Sequence, residues 1–312
     1  MYNEVGNVEA IYEAIHRVFD PENIPIELVM VNDGSSDGTR EALFDLYQKK
    51  AEDKGLVIVG FSRNFGKEAA ILSGMKHATG DYVCFIDADL QQSPEVALSM
   101  YKKLEEDPDL DCVAAFQEAR KESKILTFFK DTFYSLINYF SDTRFVKGAS
   151  DFRMCRRNMV DAILSLPEYQ RFSKGIFSWV GFRSEFIPYE VQERNSGTTK
   201  WSFMKLFKYA IDGIVSYSTT PLRIPFVCGV CATAISLIWL LVLLIRYLIP
   251  GIFVSGVQLI LAFILLLGGI QMIFIGFLGE YLSRTYLQGK GRPVFIEKEI
   301  WERKEDGKEY NE

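Results

Sequence analysis

Histidine is nearly missing from this chain, with two in 312 residues, and cysteine is scarce, with five. The two histidines, His16 and His77, fall in helical stretches far apart in sequence and read as structural or surface residues. Five cysteines suit a reducing compartment. Cys228 and Cys231 spell C-x-x-C, but no second pair stands near them and both sit in an apolar run, so small residues on a membrane helix account for them better than zinc does. Positive charge is short as well: the formal net charge of −6 argues against general nucleic-acid binding. No basic, apolar, small-residue signal opens the chain, and the soluble part is therefore expected to stay in the cytoplasm.

Two stretches lack charge altogether, Pro225 to Ile245 and Gly251 to Gly279. Each is long enough to cross roughly 30 Å of hydrocarbon as a helix, which core helices seldom are while staying uncharged. Only Arg246 to Pro250 separates them, so the expectation is a tight hairpin of two spans, at about 225–246 and 253–280. Lys200, Lys205, Lys208 and Arg223 precede the pair and Arg284, Lys290 and Arg292 follow it, while Arg246 alone sits in the turn. That bias puts both chain ends in the cytoplasm.

What is present ahead of the spans is an alternation. Strand-like Ile26–Val31, Leu56–Phe61, Tyr82–Ile86 and Asp111–Phe116 are separated by helix-like Val8–Phe19, Thr39–Lys50, Lys67–Ala78 and Pro94–Glu106. Near-continuous apolar strands suit a sheet covered on both faces, and the alternation predicts an α/β domain with a mainly parallel sheet. Ser93, Pro94 and Glu95 make a favourable start for the last of these helices, with Ser93 as its N-cap. Ligands of such sheets bind beyond the carboxyl ends of strands. Two polar clusters fall there: Asn32 to Thr39 (NDGSSDGT) and Asp87 to Gln91 (DADLQ).

Asp87 and Asp89, read as i and i+2 of an extended segment, share a side. Joined by the Gln91 carbonyl they offer hard oxygens of the kind Mg²⁺ or Mn²⁺ takes, with water and substrate phosphates completing the shell. Taken alone, a D-x-D is equally a solvated turn before a helix. Asp33, in its Gly- and Ser-rich turn, suits hydrogen bonding to a nucleoside base. Arg194 to Trp201 (RNSGTTKW) sets two cations around a flexible turn that suits either a lid over a diphosphate or a contact with lipid headgroups. Ser202 to Tyr217 carries an apolar stripe opposite Lys205, Lys208 and Asp212, as an interfacial helix does, although a helix buried on the soluble domain would read the same. The stripe through Lys121 to Phe140 fits a core helix as well as an interfacial one.

Six segments then resemble a family: Tyr2-Asn3-Glu4, VNDGSSDGT (31–39), SRNFGKEAAILSGMKHATGDY (62–82), DADLQQSPE (87–95), DFRMCRR (151–157) and RNSGTTKW (194–201). In this order they are similar to the motifs of inverting family 2 glycosyltransferases that use polyprenyl phosphate. The nearest resemblance is to bacterial bactoprenol-phosphate glucosyltransferases, with dolichol-phosphate mannose synthases as relatives. The resemblance implies a GT-A, Rossmann-like catalytic domain over 1–200, an interfacial helix over 201–223, the two spans within 224–282 and a cytosolic tail over 283–312.

It further implies transfer of a sugar, glucose first, from a nucleoside diphosphate sugar such as UDP-glucose to undecaprenyl phosphate, with Mg²⁺ or Mn²⁺ as cofactor. The setting would be the cytosolic face of the inner membrane, and two-span proteins of this sort suggest a homo-oligomer. Mannose and N-acetylhexosamine donors, or a non-catalytic scaffold of a lipid-sugar transport system, are the alternatives. By the resemblance Tyr2, Glu4 and Asp33 contact the nucleoside, Asp87 binds the sugar nucleotide and takes part in the metal site, and Asp89 with Gln91 ligates the metal. Arg194 and Lys200 hold the diphosphate, Arg120 receives the acceptor phosphate, and Asp151 serves as base or orients Arg153 or a sugar hydroxyl. Gln117 departs from the arginine that related enzymes often carry, which weakens the acceptor assignment. The family's motif also usually follows an apolar strand, whereas here Tyr2 follows Met1 directly, so an interior strand is expected to be absent or drastically shortened.

Overall fold

The computed structural model describes residues 1–117, 149–189 and 256–303. Arg120, Arg194, Lys200, the helices expected over 121–140 and 202–217, and the first apolar run lie outside the described residues. The amino-terminal half alternates as the sequence predicts: α1 (Val8–Phe19), β1 (Leu28–Asn32), α2 (Thr39–Lys49), β2 (Leu56–Phe61), α3 (Lys67–His77), β3 (Tyr82–Phe85), α4 (Pro94–Glu106) and β4 (Cys112–Gln117). Then come β5 (Ala149–Arg156), α5 (Arg157–Leu164), α6 (Ser173–Trp179), β6 (Ser184–Tyr189), α7 (Gly256–Gly289) and β7 (Glu297–Trp301).

Periodicity explains these elements. On α1 the buried residues are Val8, Ile11, Tyr12, Ile15 and Phe19, one stripe of a 3.6-residue repeat. Every residue of β2 is buried, as expected of a strand covered on both faces. Ser93 stands at the N-cap of α4, but its hydroxyl donates to Glu95 instead of accepting from the helix backbone.

The sheet corrects the expectation of mainly parallel pairing. The strands form two mixed sheets, ordered β1-β2-β7 and β3-β5-β4-β6. β1 with β2 and β4 with β6 are parallel, while β2 with β7, β3 with β5 and β4 with β5 are antiparallel. β1 and β2, joined through α2, show the parallel pairing that a crossover helix enforces, and it is β5 and β7 that bring the antiparallel pairs. β5 inserts between β3 and β4, burying Phe152, Met154 and Cys155, and β7 closes the outer edge of β2.

Between β1 and β3, the facing edges of the two sheets, lies a cavity of about 990 Å³. β1 and β3 wall it on two sides, Ile11 and Ile15 of α1 and Ala97 of α4 contribute on one face, and Ile71 of α3 on the other. Met1 sits at its mouth: its ammonium donates to the Val31 carbonyl at 2.6 Å and its carbonyl accepts from the Asp33 N–H at 2.9 Å. That is the bonding of a parallel strand against β1, begun and continued for one residue. Burial drives the pKa of this amine down, although Asp33 and Asp87 oppose the shift.

Among the described residues no helix is long and apolar enough to cross a membrane. The backbone of α7 is helical over 256–279 of the second uncharged run, and Ile260, Ile264, Leu267, Ile275, Leu278 and Leu282 on it are exposed. At its carboxyl end Gln288 is fixed to the domain, accepting from the Tyr169 N–H and donating to the Pro167 carbonyl, both at 2.7 Å.

Candidate active site

At the carboxyl end of β1 the chain enters a tight polar loop. Asp33 is buried there, and its carboxylate accepts from the Phe65 N–H at 2.7 Å and from the Gly66 N–H at 3.0 and 3.2 Å. Gly34 follows with φ +62°, and a side chain there would meet the Arg63 carbonyl carbon at 2.2 Å, so only glycine fits. Tyr2-Asn3-Glu4 is laced onto the same loop. Asn3 donates its N–H to Ser35 Oγ and accepts from the Ser36 N–H, both at 3.0 Å, and the Glu4 N–H donates to Thr39 Oγ1 at 2.9 Å. Tyr2 itself is exposed, and the Glu4 carboxylate accepts from Asn7 Nδ2 at 2.6 Å. Two segments about thirty residues apart thus build one rim.

Across the cavity, β3 ends at Phe85, Ile86 and Asp87 follow without regular structure, and the chain turns at Ala88 and Asp89, with Leu90 in the left-handed region at φ +60°. Asp89 therefore lies on a turn just past Asp87, and the two acids do not share one strand. Asp87 is held by Gln92, a buried amide that accepts from the Asp87 N–H at 2.7 Å and donates to Asp87 Oδ2 at 3.0 Å. The Gln91 N–H donates to Asp89 Oδ1 at 3.2 Å.

Asp151 reaches the same place from β5. Phe85 pairs with Arg153, so Asp151 extends past the end of β3 toward the turn. The Lys67 ammonium joins the two acids: it lies 2.8 Å from Asp87 Oδ1, 3.0 Å from Asp87 Oδ2 and 3.1 Å from Asp151 Oδ2. Burial pushes the Asp151 carboxyl up, but Lys67, Lys174 and Arg153 outweigh it and hold the group below the usual carboxylate range. Burial likewise pulls Lys67 down, and Asp87 with Asp151 more than reverses it. Lys174 is lowered by burial in spite of Asp151, and Glu68, which accepts from the Ser173 N–H at 2.8 Å, is raised by burial. Arg153 is buried with its guanidinium 4.0 Å from the centre of the Phe177 ring and one N–H on the Ser150 carbonyl at 2.9 Å.

Tyr2, Glu4, Asp33, Asp87, Asp89 and Asp151 all line the one cavity, although they come from four separate motifs. Lys67 and Gln92 were not singled out from the sequence. Gln92 offered no signal beyond its place beside Gln91. Lys67 did offer one: it opens α3, and a cation at a helix amino terminus opposes the helix dipole. Among the described residues no three acids, histidines or cysteines converge into a ready metal cage.

The family model described as Glycosyl transferase family 2 matches residues 1–164. An uncharacterized glycosyltransferase of Synechocystis sp. is 38% identical over 302 residues, covering 96% of this chain and 93% of the relative. A prophage bactoprenol glucosyl transferase homolog of Escherichia coli K12 is 36% identical over 300 residues, at 96% and 97% coverage. The bactoprenol glucosyl transferase of Shigella phage SfV is 35% identical over 296 residues, at 95% of each chain. Likeness to solved structures is looser. A Mycobacterium tuberculosis glucosyl-3-phosphoglycerate synthase aligns over 69% of this chain and 75% of its own with a TM-score of 0.48 and 16% identity, too little to carry a mechanism across.

Proposed function

The chain belongs to glycosyl transferase family 2 and is a glycosyltransferase, and on that premise we propose that it moves a sugar, glucose first, from a nucleoside diphosphate sugar to undecaprenyl phosphate with inversion. The acceptor class is supported by the two bactoprenol relatives, which match nearly end to end. The observation that carries the reading is the meeting of Asp87, just past β3, and Asp151, on β5, on one cation beside a rim built by two motifs.

In this reading the rim of Tyr2, Glu4 and Asp33 takes the nucleoside in a GT-A arrangement, and Asp33 does so chiefly by holding the Phe65–Gly66 backbone in place. Asp87, Asp89 and Gln91 present hard oxygens to a divalent ion, Mg²⁺ or Mn²⁺. The fit is supported by the Lys67 ammonium, which already lies against Asp87 as a cation would. With no ready cage of three acids, water and donor phosphates would have to complete the shell. Such an ion supplies charge stabilisation to the departing diphosphate. Arg194 and Lys200 of the RNSGTTKW motif add positive charge, and Arg120 receives the acceptor phosphate.

A phosphate monoester has a second pKa of about 6, so its oxygen is largely ionised at neutral pH and needs no strong base. Asp151, kept anionic by its neighbours, orients a sugar hydroxyl or Arg153. The acceptor oxygen attacks the anomeric carbon, the bond to the diphosphate breaks, and the leaving group departs with the electron pair. An α-linked donor then gives a β-linked lipid.

The two uncharged runs hold the enzyme in the inner membrane as a hairpin, with catalytic domain and both termini in the cytoplasm, and the exposed apolar positions of α7 support a lipid setting for the second. Homo-oligomeric packing of the hairpins belongs to the same reading. The test is mass spectrometry of lipid products from detergent-purified protein, undecaprenyl phosphate, Mg²⁺ and a panel of nucleotide sugars. Undecaprenyl-phosphate glucose is expected from UDP-glucose, with a fall of at least about 100-fold in Asp89→Ala. No lipid-linked sugar from any donor would overturn the reading.

A further inference from the structure

Lys67 is placed by an unusual route. The Asp33 carboxylate fixes Gly66 by accepting from its N–H, Gly66 stands at φ +98° ahead of α3, and Lys67 begins that helix with its charge at the unfavourable end of the dipole. From there the ammonium crosses to the other sheet and contacts three oxygens of Asp87 and Asp151 at 2.8 to 3.1 Å. Nothing in the folding of that turn demands it, because Gln92 already holds Asp87 by two hydrogen bonds. A lysine is a compact point charge on a flexible stem, so it can leave such a seat without disturbing the backbone that carries it.

We propose that Lys67 is a positioning residue that occupies the cation seat at rest and yields it only when a donor arrives. The proposal rests on the metal-dependent reading above. Without a ligand, Lys67 screens the two carboxylates from each other. A divalent ion entering against Asp87 must displace the ammonium, and an ammonium displaced into the cavity needs a new anion. The donor's diphosphate supplies one. Metal and donor therefore enter together, and the ion alone binds poorly. The exchange is ionic; no covalent bond is made or broken.

Electron paramagnetic resonance of free Mn²⁺, titrated with the full chain in detergent and with UDP absent or present, reads this without any turnover. For the parent protein, Mn²⁺ is expected to bind at least tenfold more tightly with UDP than without. Lys67→Met is expected to bind Mn²⁺ alone about tenfold more tightly than the parent and to lose most of the UDP effect, while Lys67→Arg restores the parent pattern. Lys67→Gln, which keeps a hydrogen-bond donor, is read alongside in case the methionine variant fails to fold. Unchanged Mn²⁺ affinity in a folded, uncharged variant overturns the proposal, as does a parent protein that binds Mn²⁺ equally well with and without UDP. Failure of the lipid-product assay alone would overturn the acceptor assignment and leave this titration standing.

Discussion

The two sheets meet the same cavity with opposite means. At the β1 end, charge is satisfied by backbone: Asp33 takes two peptide N–H groups, and Gly34 lets the loop press against Arg63. At the β3 and β5 end, charge is satisfied by side chains, with Lys67, Asp87 and Asp151 in one cluster and Arg153 and Lys174 close enough to shift Asp151. Backbone donors cannot leave; a lysine can. The first arrangement suits a fixed rim for the invariant part of a ligand, and the second suits a seat where one cation is exchanged for another.

Substitutions should separate the two ends. Asp33→Ala strands two part-buried N–H groups, and at about 1–2 kcal/mol for each, the lower part of the range for a stranded donor, it should lower the unfolding free energy by about 2–4 kcal/mol in a denaturant titration. Asp151→Asn, which leaves Lys67 its two contacts with Asp87, should cost about 1 kcal/mol or less on the same curve. Equal losses at both sites would erase the distinction. The next test joins the sheets. A short extended apolar segment fused ahead of Met1 continues the parallel bonding already begun at Val31 and Asp33 and occupies the apolar inner part of the cavity between β1 and β3, beside Ile11, Ile15 and Leu28, leaving the acids at its other end free. We expect the melting temperature to rise by about 5 °C or more and turnover to increase; the same melting temperature and turnover in both forms would refute it.

The smallest effect is in acid. The Asp151 carboxyl is held below its unfolded value of about 3.9, so its contribution is present above that pH and is lost as the pH falls through the folded value. Unfolding curves between pH 2 and pH 6 should show a shallower acid decline in Asp151→Asn than in the parent, and parallel declines would remove Asp151 from the account.

Much of this molecule was legible in its sequence. The four helices and four strands of the first 117 residues fall within two residues of where periodicity puts them, because each lies in one unbroken pattern of 3.6 or of apolar run. β5 was quoted as a motif but not as a strand. Phe152 and Met154 share one side and Asp151 and Arg153 the other, but Arg153 is buried as well, so the charged positions mask the strand, and its antiparallel partners are set by tertiary packing. β7 (EKEIW) is largely polar and becomes a strand only by closing the edge of β2. The acids were found from motif spacing. Their relation was not, since it depends on a lysine and an amide that meet them only when two sheets face each other.

After α7 the chain does not trail away. Arg40 holds Glu299 through two nitrogens, each at 2.6 Å; Ser73 and His77 both reach Glu297 at 2.9 Å; and Arg303 donates to the carbonyls of Lys50 and Asp53 at 3.0 and 3.1 Å. The segment from Lys290 to Ile296 is therefore a leash knotted at both ends, with a reach of at most about 25 Å. The carboxyl end of α7 is thereby kept close to the sheet of β1, β2 and β7, as a tool on a short arm is, and a longer leash would free that end before it loosened the fold.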